Sequence, residues 1–181
     1  MKSFFALVAA SAFFLQAHAH PVAAPAIEDR ATAACGSSTV ALLRAYSSSA
    51  TDHFYTTNAV ELENAVNNLN YRSEGDAAQV FSTQVSGTVP LYRLYSSIGG
   101  DHFYTTSASE RDNAIAEDAY RDEGVAAYVY PSSQCGAVPL YRMDNPAVTD
   151  HFYTTNVAER NNAIANLGYV DEGIAAYVIA A

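Results

Sequence analysis

Three histidines stand in identical surroundings. The hexapeptide Asp-His-Phe-Tyr-Thr-Thr occupies 52–57, 101–106 and 150–155, so His53, His102 and His151 recur every 49 residues. Under threefold symmetry, equivalent atoms are all near the axis or all far from it. Near it, three imidazoles would make a zinc site with an open fourth position. Far from it, each would be a buried histidine held by the backbone of its own unit. On a strand, His, Tyr and Thr share one face and Asp, Phe and Thr the other. Both faces repeat identically, so both are read as packed. The structural role is preferred, with zinc as the alternative and no other cofactor expected.

Arg44, Arg93 and Arg142 also repeat, each on a strand face shared with Val and Leu. A guanidinium placed there needs a carboxylate partner. The repeated acids Asp52, Asp101 and Asp150, or Glu74, Glu123 and Glu172, could supply it and so hold the register of each unit. Polysaccharide binding is the functional alternative for these arginines. Paired acids could instead hydrolyse a glycosidic bond, but three equivalent sets do not make one asymmetric active site. Asp76 and Asp144 break the repetition, and neither has an evident partner. No nucleophile elbow, zinc-protease helix motif or phosphate loop is present. The chain is therefore expected not to be an enzyme, with a metal-dependent or carboxylate hydrolase as the alternative. The chain has 13 Tyr and no Trp, and Tyr can offer sugars a flat apolar face with a polar tip. Tyr92, Tyr141, Tyr128 and Tyr177 are the candidate ligand-stacking rings.

The elements that must position these residues also repeat. Three gapless copies run over 40–88, 89–137 and 138–181, the signature of one supersecondary unit used three times within a single domain. Each opens on an alternating strand such as Val89-Pro-Leu-Tyr-Arg-Leu-Tyr95. Pro90 and Pro139 forbid pairing on both sides at that end. A turn leads to the hexapeptide strand, and a helix of about eleven residues follows. Ser107-x-x-Glu110 reads as a capping box, and Asn58-x-x-Glu61 and Asn156-x-x-Glu159 as its Asn-capped versions. Ala163, Ile164 and Leu167 form the predicted apolar helix face, with Arg111 and Arg160 toward solvent. Tyr71, Tyr120 and Tyr169 mark the helix exit. Glu74-Gly75, Glu123-Gly124 and Glu172-Gly173 read as turns before a last short strand. The expected fold is mainly β with one helix per repeat, closed around a pseudo-threefold axis in a propeller-like way. The β-trefoil is the alternative.

Leu-Tyr-Arg, then Asp-His-Phe-Tyr-Thr-Thr, then Glu-Arg, then Tyr-x-x-Glu-Gly-x-Ala-x-Tyr-Val resembles a secreted repeat domain of unknown function. That domain occurs in bacterial and fungal extracellular proteins, often attached to cell-wall hydrolases. The resemblance spans Val40 to Ala181. It implies an extracellular module, one that could attach to walls, and it transfers no catalytic residues. The first copy departs most, with Ala41, Leu43, Leu62 and Gln79 at positions that are Pro, Tyr, Arg and Tyr in the other two.

Residues 1–19 have the form of a signal peptide: Lys2, an apolar run from Phe4 to Leu15, and Ala17-His18-Ala19 as the cleavage site. Residues 20–39 read as a flexible leader carrying Cys35. Secretion is the expected localisation. The net charge is −10, and loss of Lys2 with the signal takes it to −11. Nucleic acid and membrane insertion are thereby poor partners, and a monomer is expected. In an exported chain Cys35 and Cys135 form a disulfide most simply, worth roughly 4–5 kcal/mol in the chain-entropy picture. The function expected is a non-catalytic binding module for cell-wall or extracellular polysaccharide. A secreted inhibitor or effector acting through the variable turns at 47–51, 96–100 and 144–149 is a further alternative.

Overall fold

The computed structural model describes residues 35–181; the expected signal peptide and residues 20–34 of the leader lie outside the described residues. Unit one comprises β1 (Val40–Ser47), β2 (Asp52–Thr56), α1 (Ala59–Asn68) and β3 (Arg72–Val80). Unit two comprises β4 (Val89–Ser96), β5 (Asp101–Thr105), α2 (Ala108–Glu117) and β6 (Arg121–Val129). Unit three comprises β7 (Val138–Asn145), β8 (Asp150–Thr154), α3 (Val157–Asn166) and β9 (Val170–Val178). Each unit is a separate three-stranded antiparallel sheet with its first strand in the middle, in the orders β2-β1-β3, β5-β4-β6 and β8-β7-β9. The protein is thus mainly β, with three similar units about a pseudo-threefold axis. No closed barrel forms among the described residues, and the arrangement is consistent with both the propeller-like and the trefoil-like reading.

The proline positions fit an offset of the central strands that all three units share, unit one included with Ala41 in that place. Pro90 and Pro139 pair with Tyr128 and Tyr177 on one side, while pairing to the hexapeptide strands begins only at Tyr92 and Tyr141. An imide nitrogen has no hydrogen to give a second neighbour.

Two expectations are corrected in the third strand and the helix. Glu-Gly is not a turn before a short strand. It lies inside a nine-residue strand, where the register slips against the central strand. Gly75, Gly124 and Gly173 have φ of +85°, +88° and +85° there, and an added Cβ would meet nothing within 4 Å. Glycine is required for its backbone conformation, not for space. The helices, in turn, bury little. Ala65, Ala114 and Ala163 are their buried residues, whereas Ile164 and Leu167 are 36% and 56% exposed. Each helix is held mainly by its caps and its first turn.

The core runs along the axis. Leu42, Leu91 and Leu140 pack there with Ala78, Val80, Ala127, Val129, Ala176 and Val178 around three fully buried tyrosines. Tyr55, Tyr104 and Tyr153 form a ring, with edge-on centroid distances of 5.4–5.5 Å. The Tyr104 hydroxyl donates to the Tyr55 carbonyl (2.7 Å) and accepts from the Tyr55 N–H (2.8 Å). Tyr153 does the same to Tyr104, and Tyr55 to Tyr153. Each hydroxyl therefore satisfies the outward backbone of a neighbouring edge strand, which would otherwise be an unpaired sheet edge.

At one end of the axis the third strands close a triangle. Paired backbone bonds join Gln79 to Ile179, Phe81 to Tyr128 and Tyr130 to Tyr177. Below them Phe81, Tyr130 and Ala137 form a small cluster with Cys135. The expected Cys35–Cys135 disulfide is formed, spanning 100 residues of sequence. No described helix is long and apolar enough to cross a membrane.

Candidate functional site

Each hexapeptide aspartate is fully buried and reaches into the next unit. Asp52 Oδ1 accepts the His102 N–H (2.8 Å) and its Oδ2 accepts His102 Nδ1 (2.6 Å). Asp101 holds His151 in the same way, and Asp150 holds His53. Oδ2 also accepts the hydroxyl of its own unit's exit tyrosine, Tyr71, Tyr120 or Tyr169. The histidines do not bond the backbone of their own unit, as expected for the structural case. They are inter-unit couplers.

Among the described residues, the group gathered closely enough for a metal is not the three histidines but Asp52, Asp101 and Asp150, whose oxygens lie within 4.8 Å of one another. Every one of these carboxylates already accepts a backbone N–H, an imidazole and a phenol. The donor set is all oxygen and committed to hydrogen bonds, which does not fit the nitrogen site expected for zinc. Burial opposes the charge of Asp101, but the bonds from His151 and Tyr120 outweigh it and lower its pKa. Burial likewise disfavours the charged form of His151, and Asp101 reverses this and raises its pKa.

The arginines stand at the boundaries between units. Arg44 forms a two-pronged bond to Glu159 of unit three (3.1 and 3.0 Å). Arg93 takes Glu61 and Arg142 takes Glu110 in the same geometry. The Nε atoms stand 2.8 Å from Glu74, Glu123 and Glu172 of their own units. Those contacts are ion pairs without the alignment of a hydrogen bond, since each Nε–H is left unpaired. Each guanidinium also lies over a ring of the preceding unit: Phe152, Phe54 or Phe103, at 5.2, 5.4 and 5.2 Å. The expected partner glutamates are thus present, but the bonds join units rather than hold the register within one.

The helix-start glutamates show why the capping-box reading was incomplete. Asn58, Ser107 and Asn156 do cap the helices, accepting from the first-turn N–H groups. Glu61, Glu110 and Glu159 do not return the bond to the cap. They face outward to the next unit's arginine and accept a threonine hydroxyl from Thr56, Thr105 or Thr154. The same threonines take the cap N–H instead, at 2.9–3.0 Å. Burial pushes the pKa of these glutamates up, but the arginine and threonine bonds dominate and lower it.

Two of the clefts between units can be described by volume and lining. The one between units two and three encloses about 710 Å³ and is lined by Phe103, Glu110, Tyr120, Arg142, Asp144 and His151 among others. That between units three and one encloses about 490 Å³ around Arg44, Tyr46, His53, Phe152 and Glu159. The divergent turns form their rims: Ile98, Gly99, Pro146 and Thr149 at the first, Thr51 and Val148 at the second.

The candidate tyrosines lie elsewhere. Tyr92 and Tyr141 are covered by Arg111 and Arg160, whose guanidinium carbons stand 4.4 and 4.9 Å from the ring centres. These arginines are not simply solvent-facing, as predicted. Arg111 also pairs with Asp112, and Arg160 with Asp171. Tyr128 and Tyr177 are half-buried in the triangle that closes the axis. Of the candidate binding residues, Arg44 and Arg142 line the two described clefts, and the four tyrosines do not. Asn113 and Asn162, equivalent helix residues lining the two clefts, were not singled out, and only their constant spacing of 49 residues signals them.

Fold and site together define a three-unit repeat protein, stitched by side chains that cross from unit to unit. The chain belongs to the family described as a domain of unknown function (DUF5648), whose model matches residues 41–179. No curated protein and no solved structure matches it.

Proposed function

We propose that this is a secreted, non-catalytic binding module for cell-wall or extracellular polysaccharide, and that its sites are the inter-unit clefts. The observation that carries the reading is the recurrence of one concave, polar and aromatic arrangement between successive units. Ordered carboxylates, a guanidinium and amide side chains offer hydroxyl-rich ligands fixed hydrogen-bond partners, and phenyl and phenol rings form the walls. Repeated weak sites on one rigid body gain avidity on a polymer. The signal-like N-terminus and the disulfide support an extracellular setting.

The test is a pull-down on insoluble wall polysaccharides. Asn113→Ala with Asn162→Ala, at exposed helix positions, should weaken retention several-fold and leave the thermal transition unchanged. Tyr92→Ala with Tyr141→Ala should retain binding; loss confined to that pair would move the site to the outer strand faces. Absence of retention on every polysaccharide would sink the reading. A second reading, a protein-binding inhibitor or effector, is favoured by the turn tips, where Ile98 is 84% exposed. Capture of a defined protein that is lost in Ile98→Ser would support it.

A further inference from the structure

The clefts are not equivalent, and one of the differences stands directly beside the histidine. In unit one Tyr46 packs against His53, with ring centres 4.5 Å apart, and Phe152 packs against the same imidazole at 4.5 Å. In unit two Tyr95 and Phe54 do the same to His102, at 4.6 and 4.9 Å. In unit three Phe103 is in place, 4.7 Å from His151, but the residue opposite His151 on the central strand is Asp144. The cleft that lacks the tyrosine is the larger, about 710 against 490 Å³. His151 and Asp144 both line this cleft, with a carboxylate where the other units have a phenol ring.

The charge of this cleft also differs. It is lined by Glu110, Asp118, Asp144 and Glu172 against one guanidinium, Arg142, whereas the cleft between units three and one has Glu74 and Glu159 against Arg44. Glu110 and Glu172 are occupied by Arg142, and His151 by Asp101. The Asp144 side chain makes no hydrogen bond or ion pair with the described residues, and the residue is half-buried. Burial first, and then Glu172, Asp101 and Asp150, make its negative charge costly, with only His151 in opposition. A cation entering the cleft would relieve that cost.

We infer that the cleft between units two and three is a specialised subsite for a protonated amino sugar. The pyranose ring fills the place of the missing tyrosine beside His151, and its ammonium group pairs with Asp144. This rests on the polysaccharide reading above and deepens it. Ser109 and Asn113 on the cleft wall are partners for the remaining hydroxyls. The cleft between units three and one, filled by Tyr46, takes no such ring.

The experiment is a calorimetric titration of the full mature chain with a glucosamine oligosaccharide, its N-acetylated counterpart and a neutral glucan oligosaccharide, in buffer that keeps the amines protonated. The glucosamine oligomer is expected to bind at one site and about tenfold or more tighter than the other two, as a charge-assisted contact should. Asp144→Asn should remove that preference. Asp144→Tyr restores the residue of the other units, so the fold tolerates it, and it should abolish the site. Tyr46→Asp should create a second site of similar affinity. Equal affinity for the glucosamine and acetylated oligomers, or an unchanged preference in Asp144→Asn, overturns the inference while leaving the polysaccharide reading standing. Failure of all three saccharides to bind, with none retained in the pull-down, overturns both. Tighter binding of a lysine-rich peptide than of the glucosamine oligomer overturns it in favour of a protein partner.

Discussion

Single atoms carry much of the specificity of this fold. The hydroxyl of Tyr104 is the sole strand-like partner of the Tyr55 backbone on that side. Tyr104→Phe keeps the ring packing but leaves a buried N–H and C=O unpaired, so a loss of about 1–3 kcal/mol per stranded group is expected in urea unfolding. The His151–Asp101 pair predicts the pH profile. The pKa of His151 is raised, so its contribution is complete below the unfolded value of about 6.5 and fades as pH rises through the folded value. That of Asp101 is lowered, so its contribution holds above the unfolded value of about 3.9 and is lost as pH falls through the folded one. The melting temperature should therefore peak between these limits, and His151→Gln should flatten the alkaline limb and move the acid limb to higher pH, because His151 is also the main group that lowers the pKa of Asp101. None of these pairings was legible in the sequence. The residue types were visible, but each partner lies in another unit, and reading one repeat at a time assigns a side chain to its own backbone.

At the scale of elements, each helix is positioned by what its first turn gives away. Glu110 leaves its own cap to hold Arg142, and Thr105 takes over the cap N–H. Glu110→Gln keeps the threonine contact but weakens the ion pair. Because the carboxylate is 39% exposed, a modest loss of about 1 kcal/mol is expected by thermal melting. The helix exits offer a stabilising change. Asn70, Ala119 and Gly168 occupy equivalent left-handed positions, with φ of 60°, 57° and 82°. Ala is the poorest fit of the three to that conformation, so Ala119→Gly should raise the melting temperature, by up to about 1 kcal/mol of stability. Strand–strand–helix–strand order and the caps were readable because they depend on local chemistry, and Pro90 and Pro139 marked an end of the central strand that is paired on one side only. The Glu-Gly bulge was not, since positive φ serves a turn and a bulge equally. The helix face was misread because Ile164 and Leu167 have the right spacing but no sheet beneath them.

At the scale of the whole molecule, the disulfide closes the only described covalent link between the N-terminal arm and the last linker. Replacing Cys35 and Cys135 with Ser should lower stability by an amount approaching the roughly 4–5 kcal/mol of the loop-entropy estimate, and the clefts should still form, because none of their bonds involves the arm. The threefold plan was visible in the period of 49 residues, and so was its closure. What the period could not show is that the histidine–aspartate pairs and the two-pronged arginine–glutamate bonds cross from unit to unit.

Those interfaces have a direction. Every unit gives a carboxylate to the following one and a tyrosine hydroxyl to the preceding one, so no unit is complete alone and none is an end. Such contacts are heterologous, and a heterologous contact that turns by a third of a circle closes after three copies. A polypeptide containing one repeat, such as residues 89–137, has both halves of the contact and should assemble as a cyclic homotrimer. The chain then reads as that trimer covalently joined, and the joining is what freed one of its three interfaces to exchange a tyrosine for Asp144 without altering the other two.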